Sequence, residues 1–201
     1  CYMLESVENQ EVWGRYTFLG YDPKLEITCM NGEMCIRESG SEEGAKEPVA
    51  HPGAKIKEIL KEYTSPKVKD LPSFTGGLVG YFSYDYVKYS EPKLNLDADD
   101  QEGFKDVDLM LFDKVIAFDN LRQKIYIIAN ARTENLEQEY DRCLAEIEEI
   151  VDLIEHGTPA QITPGKITSE FRPLFSEQEY CAMVEKAKHY IYEGDIFQVV
   201  L

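Results

Sequence analysis

The sequence predicts an α+β fold: a largely antiparallel sheet with flanking helices. Two hairpin signals and the position of the helices carry that expectation. The stretch "KLEITCMNGEMCIRE" sets Asn31-Gly32 between two alternating runs, the strongest short-range hairpin signal, for which a type I′ turn is expected. Asp119-Asn120 turns a second apolar run back into Lys124–Ala129. Both pairings are antiparallel, and the two strongest helical patterns come last. That order differs from the strand–helix alternation of a doubly wound sheet.

Element by element, Tyr2–Ser6 and Arg15–Gly20 read as strands, with Trp13-Gly14 in the turn between them and Asp22-Pro23 breaking the chain afterwards. After the first hairpin, 38–49 is rich in Gly, Ser, Glu and Pro and reads as loop. Ala54–Tyr63 is a short helix with Ile56, Ile59, Leu60 and Tyr63 on one face. Residues 64–73 are a connection, Gly77–Phe82 a strand and 90–105 an acidic loop. Leu109–Phe112 and Lys114–Phe118 read as one broken strand. Glu134–His156 is the clearest helix, because Leu136, Tyr140, Cys143, Leu144, Ile147, Ile150, Val151 and Ile154 recur at three and four. Its other face carries nine acids and one Arg, as a solvated face does, and Gly157 ends it.

A Thr/Pro/Gly linker spans 158–173. Ser176-Glu-Gln-Glu179 is a capping box opening a helix to Glu193, with Tyr180, Met183, Val184, Ala187 and Ile191 inward. Gly194 stops that helix, and Ile196–Leu201 is apolar and β-branched enough to predict a buried strand. The expected organisation is therefore a region 1–157, a linker 158–173 and a short region 174–201. The chain opens on Cys1 and closes on that apolar strand, so it is expected to be a fragment.

The 201 residues are 43% apolar and 29% charged, with a net charge of −17. Such acidity speaks against nucleic acid, whose phosphates require a basic face. No run approaches the ~20 apolar residues of a membrane span, and no secretion leader is visible. The five cysteines form no C-x-x-C pair, so no metal site is assigned and reduced thiols are expected. A pairing of Cys29 with Cys35 across the first hairpin is the alternative.

The motifs G-x-S-x-G, H-E-x-x-H and G-x-x-x-x-G-K-[ST] are missing. Gly76-Gly77-Leu-Val-Gly80 resembles a phosphate loop but lacks its Lys and its helix, so close packing of a strand on another backbone is the reading adopted. Asp97, Asp99 and Asp100 read as an exposed acidic loop rather than a cation site. Glu5-Ser6 ends one strand and Arg15 opens the next. That trio suits a zwitterion, with Glu5 for an ammonium, Ser6 for a hydrogen bond and Arg15 for a carboxylate; an ordinary turn beside an unrelated Arg is the alternative. Gln198 is polar inside an apolar run, so it is expected to be paired or functional.

"LES" at Leu4–Ser6, "WGRYTFLGYDP" at Trp13–Pro23, "GGLVGYFSYDY" at Gly76–Tyr86, "DLMLFD" at Asp108–Asp113 and "GDIFQVVL" at Gly194–Leu201 together resemble anthranilate synthase component I. The resemblance covers essentially the whole chain, in order. It implies an incomplete part of the two-sheet α/β sandwich of chorismate-utilising enzymes, not catalytically competent by itself. It implies conversion of chorismate and ammonia to anthranilate and pyruvate in the cytoplasm. Magnesium would be held by ligands outside these residues, and a glutamine amidotransferase subunit would supply the ammonia. It implies part of an L-tryptophan feedback site at Leu4, Glu5, Ser6 and Arg15, the last standing where some members have Lys. It also places Gln198 on the nucleophile side of the chorismate pocket, where water-using relatives have a lysine base. Aminodeoxychorismate synthase component I, a stand-alone tryptophan-sensing module and a purely structural scaffold are the alternatives.

Overall fold

A computed structural model describes residues 1–6, 14–94, 96 and 100–201. Trp13, Asp97 and Asp99, named above, lie outside the described residues. The chain divides into two compact units, Cys1–Gly157 and Thr158–Leu201.

The first unit holds two antiparallel sheets. In chain order its strands are β1 (Tyr2–Leu4), β2 (Tyr16–Gly20), β3 (Leu25–Met30), β4 (Glu33–Glu38), β5 (Ala45–Pro48), β6 (Gly77–Phe82), β7 (Val107–Phe112), β8 (Lys114–Asp119) and β9 (Lys124–Ala129). A four-stranded sheet has the order β1-β2-β8-β9, and a five-stranded sheet the order β5-β4-β3-β7-β6. The expected mixture of antiparallel strands and flanking helices is therefore present.

The β3–β4 hairpin forms where its turn chemistry requires. Asn31 and Gly32 have φ of 50° and 81°, the left-handed pair that a type I′ turn needs. Its register sets Cys29 opposite Met34 and Cys35 opposite Thr28, so the two thiols do not face each other across the hairpin, and all five cysteines are free. β5 corrects the loop expected over 38–49. Its sequence, Ala-Lys-Glu-Pro, carries no β-former, but it lies at a sheet edge, where charge and proline are tolerated.

Period-two burial is clear in β3 and β7: Leu25, Ile27 and Cys29, then Val107, Leu109 and Leu111, are buried. Helix α1 (Pro52–Glu62) lays Ile56 and Ile59 on that face, and Met34, Leu78, Tyr86 and Tyr89 complete the cluster. Each fully buried Ile, Met or Val there contributes on the order of 1.5–3 kcal/mol. The cluster also encloses a polar group. Asp106 accepts hydrogen bonds from Lys88 Nζ, Tyr89 Oη and the Asn31 amide, each at 2.7 Å. Burial alone would push its carboxyl up, yet these donors hold it below the ordinary range. The network fastens the first hairpin turn to the 3-10 segment Tyr84–Tyr89.

β7 and β8 correct the single broken strand expected. One residue, Asp113, separates them, and they belong to different sheets. The neighbouring crossover, after β2, meets the same point: the Lys24 amide donates to Leu111 O at 2.7 Å, and Lys24 Nζ to Asp113 Oδ2 at 3.2 Å. Aromatic rings fill the space between the sheets, with Tyr2 edge-on to Phe112 at 4.7 Å and Phe18 edge-on to Phe74 at 5.7 Å.

Helix α2 (Leu136–His156) contacts β9 and buries Cys143 and Ile150. Leu136, Tyr140, Leu144 and Ile154 of the predicted inward face are exposed, because the apolar stripe is wider than the surface that covers it. In the second unit, helix α3 (Glu177–Glu193) has the predicted capping box at Ser176 and Glu179 and a left-handed Gly194 after it. The strand expected over Ile196–Leu201 is not formed. A strand is stabilised by ladder hydrogen bonds, and among the described residues no other strand pairs with this segment.

Candidate functional site

The trio Glu5, Ser6 and Arg15 lies at the open end of the β1–β2 pair. The register Tyr2↔Gly20, Met3↔Leu19, Leu4↔Phe18 runs the chain at Glu5 and Ser6 toward the start of β2, which Arg15 immediately precedes. Leu4 and Glu5 are exposed and Ser6 is half-buried. At the other end of β1, the Tyr2 hydroxyl is buried with no hydrogen-bond partner, and burial pushes its pKa to about 12.

Arg15 does not simply face solvent. Its Nε donates to Asp119 Oδ1 at 3.1 Å and its Nη2 to Oδ2 at 2.7 Å, a bidentate pair. The Asp119 side chain is 0% exposed and that of Arg15 25%. The Arg122 amide adds a bond to Asp119 Oδ1 at 3.0 Å. Chiefly through the Arg15 hydrogen bonds, the Asp119 carboxyl is held at about 2. The same turn returns to Arg15 through the Asn120 amide, which donates to Arg15 O at 2.8 Å. Nη1 of Arg15 remains outside the ion pair, and the guanidinium lies 4.8 Å over the Tyr16 ring.

Asp119 was not picked out from the sequence as a site residue. Its signal, an acid opening a hairpin turn, is common, and its partner is 104 positions away. Gln198 is exposed in the irregular segment after α3, not enclosed in a strand as expected. Among the described residues no three Asp, Glu, His or Cys side chains converge as a metal-holding group. Among the described residues, no helix is long and apolar enough to cross a membrane.

The glycine-rich stretch resolves in favour of close packing. A Cβ on Gly80 would sit 2.0 Å from Asp108 O and 2.8 Å from Leu109 Cα, with φ at +154°. The glycines let β6 lie against β7 rather than cradle an anion.

Compared with known proteins, residues 1–201 match the family model described as chorismate binding enzyme. Anthranilate synthase component 1 of Acetivibrio thermocellus is 35% identical over 100% of this chain and 42% of its own length. The Aquifex aeolicus protein of the same name is 37% identical over 99% of this chain and 40% of its own. Anthranilate synthase alpha subunit 2, chloroplastic, of Arabidopsis thaliana is 31% identical over 100% and 35%. The chain thus spans about two fifths or less of the length of these relatives. A crystal structure of anthranilate synthase component I from Streptococcus pneumoniae TIGR4 superposes with a TM-score of 0.56 over 97% of this chain and 41% of that one, at 22% identity, a likeness of fold.

Proposed function

This chain belongs to the chorismate binding enzyme family, and from that premise we propose that it is the N-terminal part of anthranilate synthase component I. The whole protein would convert chorismate and ammonia to anthranilate, pyruvate and water, as a cytoplasmic enzyme of tryptophan biosynthesis. A glutamine amidotransferase subunit would deliver the ammonia. Similarity above 30% identity along the full 201 residues to proteins of that name carries the reading. Magnesium would supply charge neutralisation at the substrate carboxylate, with its ligands outside these residues. On this reading the 201 residues alone form no anthranilate.

Within this chain, Leu4, Glu5, Ser6 and Arg15 would form part of an L-tryptophan feedback site. Glu5 would take the ammonium, Ser6 a hydrogen bond and the Nη1 side of Arg15 the carboxylate. The exposed end of β1 and the anchored start of β2 support this arrangement. In the full-length enzyme Ser6→Phe is expected to fill the site. The concentration of L-tryptophan needed for half-inhibition would rise at least ~tenfold, with turnover retained. Inhibition curves that superpose on the wild type would refute the assignment.

Gln198 would line the nucleophile side of the pocket, where a neutral amide suits ammonia, which needs no base. Gln198→Lys is therefore expected to lower ammonia-dependent anthranilate formation in steady-state assays. An unaltered rate would remove Gln198 from the pocket.

The reading as a whole is tested with the full-length protein, chorismate, magnesium and an ammonium salt, following anthranilate fluorescence with and without L-tryptophan. Fluorescent product suppressed by tryptophan is expected. Chorismate consumed without fluorescence would move the assignment to aminodeoxychorismate synthase component I.

A further inference from the structure

A sheet edge in a soluble protein is ordinarily blunted against further pairing, and three of the four edges here are. β1 is three residues long. β5 carries Lys46, Glu47 and Pro48. β6 is interrupted by Gly77 and Gly80, both at positive φ. The fourth, β9, closes the four-stranded sheet with Lys-Ile-Tyr-Ile-Ile-Ala, which has one charge at its first position and no glycine or proline. Among the described residues no strand pairs with its outer side.

The ladder fixes which backbone groups face that side. The Asn130 amide donates to Asp113 O at 2.9 Å, in the same register as β9 on β8. Bonded and non-bonded pairs alternate in an antiparallel ladder. Tyr126 and Ile128 therefore bond to β8, while the amides of Ile125, Ile127 and Ala129 point outward. The Ile125 residue is 45% exposed.

Helix α2 lies over the same strand. One of its flanks is tied toward β8: Arg142 stands 3.7 Å from Asp113, and Glu146 3.7 Å from Lys114. Cys143 and Ile150 point down and are buried. At about 3.6 residues per turn, Tyr140, Leu144 and Val151 fall on the opposite flank, and all three are exposed. They overhang the open side of β9. Edge and flank together make a step, with free backbone groups below and apolar side chains above. A row of acids borders the flank: Glu137, Asp141, Glu148 and Glu155. The ion pairs of α2 run instead through Glu139, Glu146 and Asp152.

Such a step accepts an added strand. Pairing of β9 with a second copy would set two acid rows side by side, in a chain of net charge −17. The relatives point to a different occupant, since this chain spans only 42%, 40% and 35% of their lengths. A strand of the same polypeptide docks without the translational cost of association. We propose that β9 is an interior strand of the whole protein: a strand from the polypeptide beyond residue 201 adds to its outer edge, with apolar side chains under Tyr140, Leu144 and Val151 and Lys or Arg toward the acid row. This rests on the reading of these residues as the N-terminal part of a longer enzyme.

Two measurements on the full-length protein test it. Amide-resolved hydrogen exchange reads the edge with no substitution. The Ile125 and Ile127 amides are expected to exchange within ~tenfold of those of Tyr126 and Ile128. A wider gap, with the outward amides faster, would overturn the proposal. Tyr140→p-benzoylphenylalanine, irradiated in an equal mixture of isotopically heavy and light protein, identifies the occupant. Adducts to peptides beyond residue 201 of the same molecule are expected. Adducts joining heavy to light molecules, adducts within residues 1–201, or none at all would each overturn it. Anthranilate fluorescence keeps this inference apart from the reading it rests on. Fluorescent product with a fast-exchanging β9 edge removes the added strand alone; adducts beyond residue 201 without fluorescent product keep the strand and remove the anthranilate assignment.

Discussion

Gly80→Ala is expected to cost about 3–5 kcal/mol, enough to unfold the edge of the five-stranded sheet. Two effects combine at this residue. Its φ of +154° is one that side chains rarely adopt, and an added methyl would stand 2.0 Å from Asp108 O. The obstacle is the backbone of β7, directly opposite in the register Gly80↔Leu109, so no rotamer change relieves it. Leu109 belongs to the buried cluster under α1, and pushing it away opens the core as well. Gly165→Ala is the control, since nothing lies within 4 Å of its added Cβ, and a surface change of that kind falls within about 0.5 kcal/mol. The measurement is the denaturant midpoint together with hydrogen exchange of β6 and β7. Equal midpoints for the two variants would show that β6 does not lie against β7 as described.

Asp119→Ala is expected to cost about 3 kcal/mol, because it leaves the half-buried Arg15 guanidinium and the Arg122 amide without their acceptor. The pair also has a pH signature. The folded carboxyl sits at about 2 against an ordinary 3.8. A depressed carboxyl stabilises the fold fully above its unfolded pKa and loses that contribution as pH falls through the folded one. The stability gap between wild type and Asp119→Asn should therefore be flat from about pH 5 to 8. It should shrink as the pH falls from about 4 to about 2. A gap unchanged across that acidic range, measured by unfolding at each pH, would mean that the ion pair contributes nothing.

What could be read from the sequence was local. Asn31 and Gly32 announce their turn because the left-handed pair is a property of those two residues, and Ser176 with Glu179 caps α3 for the same reason. Gly80 was legible as a close approach because glycine among β-formers has few other uses. Events that depend on distant partners were not legible. Asp113 interrupts an apolar run by one residue, and nothing in that interruption says that the next strand joins another sheet. β5 is held by its neighbour, not by its composition. Ile196–Leu201 has a strand's composition, but composition supplies no partner. The periodicity of α2 located the helix and overstated its burial, since an apolar stripe does not measure the area available to cover it. For the candidate site, Glu5, Ser6 and Arg15 were named by residue type and by resemblance; the grip of Asp119 on Arg15 required the folded chain. A cleft lined by Asn130 and Arg132 draws on five separate segments, and no window of sequence contains it.

The closure of β2 onto β8 sets a schedule for biosynthesis. Tyr16 pairs with Asp119, so every residue of the five-stranded sheet is synthesised between the two halves of that ladder. At roughly 5–20 residues per second, a ribosome takes on the order of 5–20 s to deliver the second half after the first. During that interval β2 has only the three-residue β1 beside it, and its other edge is bare. The β3–β4 hairpin needs no such wait, since it closes across two residues, so the five-stranded sheet can begin to assemble first. A nascent chain stalled just before β8 would thus present an open strand edge bearing Phe18 and Leu19, and chaperone engagement should peak there and fall once Asp119 has emerged to meet Arg15.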